Sequence, residues 1–408
     1  MTNEITHAHG VSRGPAGSAR RRFAVILAGG QGTRLRPLTY ACRKELMPIV
    51  GRPLLEYRLH TLRTHGVTDV AFACASGARE LEAHFGGGAE VGLRITYHRE
   101  SRPLGSGRAV KEAARAAGAF GTLVVCNGDI LSDLDLGAML RLHSATGAAV
   151  SMSLSTVTDP WHFGVASVDQ DLRIRSFVEK PPRGQEPSNL INAGTWLWEP
   201  AVLDRIPDDD SAIVDGFAER VLFPGIIAGG GRIQGFRDDF WFDIGTPERY
   251  LDANHALLGR TMRGGRQQVV REDGVMIAHN ATVTGPVYAG RGAVIGRGAR
   301  VVGPCILGRG AIVEDGAHVE NSVLWQGARV GRASLVRRSI IGAGGRIGRD
   351  VALDHAILAN ASGVGNGESP ARMTQLLPGE FFGLPSALQP RQEVAPAAAR
   401  RVIPAGFS

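Results

Sequence analysis

The carboxyl-terminal third of this chain repeats every six residues. Ile277, Val283, Ala289, Ile295, Val301, Leu307, Val313 and Val319 stand in strict period. Two positions before each stands Val275, Ala281, Val287, Ala293, Ala299, Cys305, Ala311 or Ala317. The register slips by one residue to Leu324, Val330 and Val336, and again to Ile341, Ile347 and Leu353. A repeat this sustained requires stacked units that share one continuous core. The aliphatic residues point inward, and the small residues leave room for tight corners. Cys305 fills a small-residue slot, so its expected role is structural.

Residues 22 to about 260 follow a different pattern, in which strands and helices alternate. Strands are expected at 23–27, 69–74, 93–97, 122–126 and 148–155. Leu54, Leu55, Leu59 and Leu62 repeat at helical spacing, and Ala109, Ala113 and Ala117 mark another helix. Such alternation implies a mostly parallel sheet with helices on both faces, and ligands at the carboxyl ends of its strands. Residues 1–20 read as a flexible arm and 21–260 as this α/β domain. Residues 261–274 read as a polar, glycine-bearing linker, and 275–366 as the repeat domain. Proline and alanine accumulate without a period across 367–408, which reads as a loose tail.

One stretch sits where a ligand should. The apolar run Phe23–Leu27 leads into Ala28-Gly29-Gly30-Gln31-Gly32-Thr33-Arg34-Leu35-Arg36-Pro37-Leu38-Thr39. A turn so bare of side chains can wrap a polyphosphate with its N–H groups. Arg34 adds a forked cation. No Gly-Lys-Ser/Thr closes the loop as in a Walker motif, and Leu35 stands where a dinucleotide fingerprint needs its third glycine.

Composition narrows the functional classes. Apolar content of 43% and charged content of 21% are ordinary for a globular protein, and no apolar run approaches the ~18 residues of a membrane span. The polar, small-residue start argues against a signal peptide. Four scattered cysteines form no metal or redox spacing, so a reduced cytoplasmic protein is expected. The net charge of +7 comes from dispersed residues and points to small anionic substrates rather than nucleic acid. Of 46 basic residues only Lys44, Lys111 and Lys180 are lysines. Lys44 and Lys180 fall in segments that look chemical; Lys111 is expected on a helix surface.

Leu27 to Thr39 closely resembles the signature loop of the sugar-1-phosphate nucleotidylyltransferases, and the six-residue period resembles the hexapeptide-repeat left-handed parallel β-helix. Together they imply a Rossmann-like, mostly parallel nucleotidylyltransferase domain followed by a left-handed β-helix with a triangular core. They also imply a reaction: a sugar 1-phosphate oxygen attacks the α-phosphorus of a nucleoside triphosphate, and pyrophosphate leaves. The resemblance assigns Leu27, Ala28, Gly29, Gly30, Gly32, Thr33 and Arg34 to the nucleotide, with Arg34 at the departing pyrophosphate. Lys44 is placed on phosphate, although many members read Pro-Lys-Pro where this chain has Arg43-Lys44-Glu45. Asp129, in Asn127-Gly128-Asp129, and Asp243, in Trp241-Phe242-Asp243-Ile244-Gly245, resemble the two aspartates that hold Mg²⁺. Phe177-Val178-Glu179-Lys180-Pro181 and Asn192-Ala193-Gly194 resemble the sugar segments. There Glu179 and Asn192 would meet hydroxyls, Lys180 the sugar phosphate, and Gly164 would allow close approach of the ring. The implied catalytic set is Arg34, Lys44, Asp129, Lys180 and Asp243.

The base is read from Glu100-Ser101-Arg102-Pro103-Leu104-Gly105. In the thymidylyl branch a glutamine stands where this chain has Glu100. A carboxylate only accepts, which suits the adjacent N1–H and N2–H donors of guanine. The segment looks like the mannose-1-phosphate guanylyltransferase pattern, so Glu100 and Gly105 are expected at the nucleotide and GTP is favoured. The partner would be mannose 1-phosphate or a related hexose or cyclitol 1-phosphate, valienol 1-phosphate among them. The alternatives are a thymidylyl- or uridylyltransferase, a bifunctional enzyme whose β-helix transfers acyl groups through His279, His318 or His355, and a non-catalytic regulatory subunit. No nucleic-acid or membrane partner is expected; homo-oligomerisation through the β-helix is.

Overall fold

A computed structural model describes residues 21–75, 78–262 and 268–383. The proposed arm at 1–20 and the tail from 384 lie outside the described residues. In the first domain the strands are β1 (Phe23–Leu27), β2 (Asp69–Cys74), β3 (Arg94–Arg99), β4 (Leu123–Asn127), β5 (Ile130–Ser132), β6 (Val150–Thr156), β7 (Gly164–Val168), β8 (Ile174–Glu179), β9 (Leu190–Trp198), β10 (Ile233–Arg237) and β11 (Trp241–Asp243). The helices used below are α1 (Leu54–Thr64), α2 (Ala78–Phe85), α3 (Gly105–Ala116), α4 (Leu136–Thr146) and α5 (Pro247–Thr261). All five strands expected from the sequence form, with ends shifted by a residue or two.

The main sheet runs in the order β8-β7-β9-β4-β1-β2-β3, and β6 pairs with both β9 and β10. Strands β4, β1, β2 and β3 are mutually parallel. Strand β9 runs antiparallel to β4, β6 and β7, so the sheet is mixed. Apolar cores cover both faces. One packs Val110, Ala113 and Phe223 over Trp196 and Trp198; the other packs Leu55, Leu59 and Leu81 over Phe72 and Ile26. Strands buried on both faces explain why Phe23–Leu27 and Leu123–Cys126 read as unbroken apolar runs. Lys111 departs from expectation. It is buried on α3, donates to the Ile206 carbonyl, and lies 2.9 Å from Asp208 Oδ1. Its ammonium ties the helix to the 206–208 segment, a partnership that helical spacing alone does not reveal.

The second domain is a left-handed β-helix of three all-parallel sheets with seven, seven and five strands. The predicted inward residues form its core, and Ala293, Ala299, Cys305, Ala311 and Ala317 are fully buried beside them. Burial pushes the Cys305 thiol up to about 12, consistent with a packed, unreactive group. The slips in period have a structural cause. One corner is turned by Gly285-Pro286 and Gly303-Pro304 in the first coils, but by the single left-handed residues Asn321 and Arg338 later. Paired residues are then 17 apart (Ile306 with Val323) instead of 18 (Val287 with Cys305). The ladder begins at Val269–Arg271 and ends at Phe381–Phe382. The repeat domain drawn at 275–366 is therefore too short at both ends, because strand pairing outlasts the six-residue pattern. The expected linker shrinks accordingly; part of it, 263–267, lies outside the described residues.

One face of the β-helix packs on the first domain. Tyr288, Ile306, Val323, Trp325, Ile340 and Ile357 bury themselves against Leu35, Leu38, Met47, Ile49, Ile244 and Tyr250. Among the described residues no helix is long and apolar enough to cross a membrane.

Candidate active site

The glycine loop leaves the carboxyl end of β1, the central parallel strand. Ala28 N–H donates to the Ala73 carbonyl at 2.9 Å, which holds the loop against the end of β2. Gly32 has φ +62°, and a Cβ there would lie 2.9 Å from Thr39 Cγ2. The Thr39 hydroxyl donates to the Gly32 carbonyl at 2.8 Å. Glycine is required at this position by both conformation and space. Gly29 packs on Ala75, whereas Gly30 faces open space. Thr33–Leu35 form a single 3-10 turn that leaves Arg34 exposed.

Lys44 is 8% exposed, and its Nζ lies 2.5 Å from Asp129 Oδ2 and 3.7 Å from Asp243 Oδ1. Burial pulls its pKa down, but the two carboxylates outweigh that and hold it above the ordinary lysine value. The flanking residues that replace Pro-Lys-Pro support it. Arg43 donates to buried Glu45 through Nε (3.2 Å) and to the Ala28 carbonyl through Nη2 (3.0 Å), joining this segment to the glycine loop.

Asp129 and Asp243 are brought together by a small antiparallel sheet. Strand β11 pairs with β5, with Asp243 opposite Ile130, and Ile244 N–H donates to the Asp129 carbonyl. Arg249 holds the far side of Asp243, donating from Nη1 to Oδ2 at 2.8 Å, with its guanidinium 5.1 Å from the Phe163 ring centre. The capped amino end of α5 places Arg249: Thr246 Oγ1 accepts from its backbone N–H. A Cβ on Gly245 would lie 2.6 Å from Asp243 Oδ2 and 3.3 Å from Arg34 Nη2. Gly245 therefore leaves room for the Arg34 guanidinium on the Asp243 side of the cleft.

Across a cleft of about 300 Å³ stand Glu179, Lys180, Gly164 and Asn192. Gly164 is spatially obligatory: a Cβ would lie 2.3 Å from the Phe177 ring and 2.6 Å from Glu179 Oε2. Burial pushes the Glu179 carboxyl up, partly countered by Lys180, whose Nζ is 3.5 Å from Oε1. Lys180 adopts φ +50°, a strained conformation for a residue with a side chain. The Asn192 side-chain oxygen already accepts from Gly194 N–H and Trp196 Nε1–H, which leaves its NH₂ group as a donor with no partner among the described residues.

The cleft thus collects Leu27, Arg34, Asp129, Gly164, Glu179, Lys180, Asn192 and Asp243 from six separate segments. Lys44 reaches it only through the carboxylates it contacts. Ala28, Gly29, Gly30, Gly32, Thr33, Glu100 and Gly105 are not among the residues lining it. Glu100 accepts from Leu104 N–H through Oε2 at 3.0 Å, closing the turn before α3. Gly105 serves packing: with φ +75°, its Cβ position lies 2.1 Å from the Val214 carbonyl oxygen. Sequence reasoning passed over Arg249, Trp241 and Glu219. Arg249 follows Asp243 by six residues on a capped helix, a legible cue. Glu219 lines the cleft from a π-helical turn and accepts from Ser106 Oγ at 2.6 Å; nothing local in the sequence marks it.

Comparison with known proteins joins these observations. A family model described as nucleotidyl transferase matches residues 23–260, the whole of the cleft-bearing domain. The chain belongs to the nucleotidyl transferase family. A second model, described as the GMPPB C-terminal domain, matches residues 268–369. The chain is 37% identical over 279 residues to a mannose-1-phosphate guanylyltransferase of Mycobacterium tuberculosis, covering 66% of this chain and 75% of that one. It is 32% identical over 288 residues to a UTP--glucose-1-phosphate uridylyltransferase of Synechocystis, covering 65% and 73%. A solved structure of a putative glucose-1-phosphate thymidylyltransferase from Bacillus anthracis, in complex with a sucrose, shares the fold. Its TM-score is 0.52 at 23% identity, over 60% of this chain and 98% of that one. The protein is a nucleotidyltransferase enzyme of the sugar-1-phosphate class. Enzymes of this family generally use a divalent metal ion.

Proposed function

We propose that this enzyme transfers a guanylyl group from GTP to mannose 1-phosphate or a related hexose or cyclitol 1-phosphate, releasing pyrophosphate. The observation that carries this reading is the grouping of Arg34, Asp129, Asp243 and Arg249 in one cleft with Glu179, Lys180 and Asn192, with Lys44 reaching it through the two carboxylates. Phosphate chemistry needs positive charge, and a polyhydroxylated ring needs directional hydrogen bonds.

Asp129 and Asp243 suit Mg²⁺, which takes one or two carboxylates and completes its shell with phosphate oxygens and water. Asp243 ends one strand of the small antiparallel sheet and Asp129 sits in the turn just before the other, and both are tethered by cations that fix their orientation. When bound, the metal would neutralise charge on the reacting phosphates. Lys44 holds both carboxylates and would lend its positive charge to the α-phosphate from behind them. Arg34 meets the departing pyrophosphate. Lys180 grips the phosphate of the incoming sugar, so the attacking oxygen and the α-phosphorus are brought together. Glu179 accepts from ring hydroxyls, and the Asn192 NH₂ group donates to one.

The GTP assignment rests on Glu100 and is supported by the guanylyltransferase relative. With Oε2 engaged at Leu104, Oε1 is left to accept from guanine. The uridylyltransferase relative keeps UTP as the second reading. Replacing Asp129 by Asn tests the site: pyrophosphate release should fall by roughly a hundredfold or more while the fold is retained. Near-normal turnover would remove Asp129 from the chemistry.

A further inference from the structure

We propose that Trp325, on the β-helix, is a positioning residue for Lys44, so that the second domain helps to assemble the catalytic site of the first. This inference rests on the role given to Lys44 above. Four residues beyond Lys44 the chain enters a short hairpin, Pro48–Ile49 paired with Arg52–Pro53. The Pro48 carbonyl accepts from the Tyr250 hydroxyl at 2.5 Å. That hydroxyl in turn accepts from Trp325 Nε1–H at 2.8 Å. The two rings meet edge to face, 6.2 Å between centres. Tyr250 is fully buried and Trp325 is 4% exposed, so no bulk solvent competes for these bonds.

Two neighbouring contacts extend the clamp. Val50 N–H donates to Asn254 Oδ1 at 2.9 Å, and Asn254 Nδ2 donates to the Tyr250 carbonyl at 2.9 Å. Gly51, at φ +80°, lies under the Tyr288 ring of the β-helix; a Cβ there would be 2.4 Å from its hydroxyl oxygen. Tyr250 directly follows Arg249, which holds Asp243. One hydroxyl therefore fixes the segment carrying Lys44 to the helix that orients its carboxylate partner. Apolar packing alone would hold the domains together; the directed chain from Trp325 through Tyr250 to Pro48 sets their register.

The test compares steady-state kinetics and melting temperature of the full-length chain and its variants, with Mg²⁺ and the best substrate pair. Trp325→Phe keeps an aromatic ring but removes the donor. It should lower kcat about tenfold with both KM values little changed, as expected for sub-ångström misplacement of a catalytic group. Tyr250→Phe removes both hydrogen bonds and should do the same, which covers the case in which Trp325→Phe folds poorly. Val323→Ala, at the same interface but outside the chain of hydrogen bonds, should lower the melting temperature and leave kcat unchanged. In a Lys44→Ala background, Trp325→Phe should change the residual rate by less than about twofold, because the group it acts through is gone. Unchanged kcat in both aromatic variants, or an effect fully additive with Lys44→Ala, would overturn the proposal and leave the interface as packing. Wild-type turnover in Lys44→Ala alone would overturn the reading of Lys44 itself, and this inference with it.

Discussion

Replacing Lys44 by alanine removes the cation between two carboxylates, and the structure sets the size of the effect. At an effective dielectric near 20, the contacts to Asp129 (2.5 Å) and Asp243 (3.7 Å) correspond to about 7 and about 4 kcal/mol of attraction. Desolvating a lysine this deeply buried offsets several kcal/mol of that. Removing one member of such a buried group typically costs about 3–5 kcal/mol, because the partners are left uncompensated. For a domain of this size that corresponds to a melting temperature lower by roughly 6–20 °C. The deficit should be largest in EDTA. Mg²⁺ should raise the melting temperature of Lys44→Ala more than that of wild type, since it can compensate the two exposed carboxylates. Turnover should stay about a hundred- to a thousandfold low in Mg²⁺, as for loss of a transition-state charge donor. Differential scanning fluorimetry in both buffers, with a pyrophosphate-release assay, measures all three quantities. Equal melting temperatures for the two proteins in EDTA, or equal gains from Mg²⁺, would refute the reasoning.

Other perturbations follow from the same geometry. Gly164→Ala places a methyl group against Phe177 and Glu179, so KM for the sugar phosphate should rise well before KM for the nucleotide does. Glu100→Gln should shift preference from GTP toward UTP or dTTP, measured as a ratio of kcat/KM; an unchanged ratio would end the base assignment. Asp238 is buried on the approach to β11, and burial pushes its carboxyl up to about 6. A raised pKa favours the fold fully below the unfolded value near 3.8, and that contribution is lost as pH rises through about 6. Asp238→Asn should therefore melt higher than wild type at pH 7.5, and the gap should narrow below pH 6 and close as pH falls toward 4.

Much of this was legible in the sequence because it is periodic or local. The six-residue repeat named the inward face of the β-helix, and the apolar runs named the buried strands. The glycine loop was legible as a bare turn at the end of an apolar strand, and the two aspartates were picked out by the family segments they resemble. What escaped depends on pairing across the chain. Tyr288, Ile306, Val323 and Ile340 are apolar yet point outward, which makes sense only once the first domain covers them. The ladder runs past its own pattern because backbone pairing needs no aliphatic residue. Lys111 looked idle because its partners lie about 95 residues away. Gly105 looked like a ligand contact because a glycine that yields to a neighbouring carbonyl and one that yields to a phosphate are identical in sequence.

The central claim is a guanylyl transfer carried out in the cleft beside Lys44, Asp129 and Asp243. Pyrophosphate release from the purified protein tests it most directly, in Mg²⁺, with ATP, GTP, CTP, UTP and dTTP each set against mannose, glucose and cyclitol 1-phosphates. The account predicts turnover concentrated in the GTP row, lost in EDTA and in Asp129→Asn. Absence of turnover across the whole grid from folded protein, or activity that survives Asp129→Asn, would contradict it.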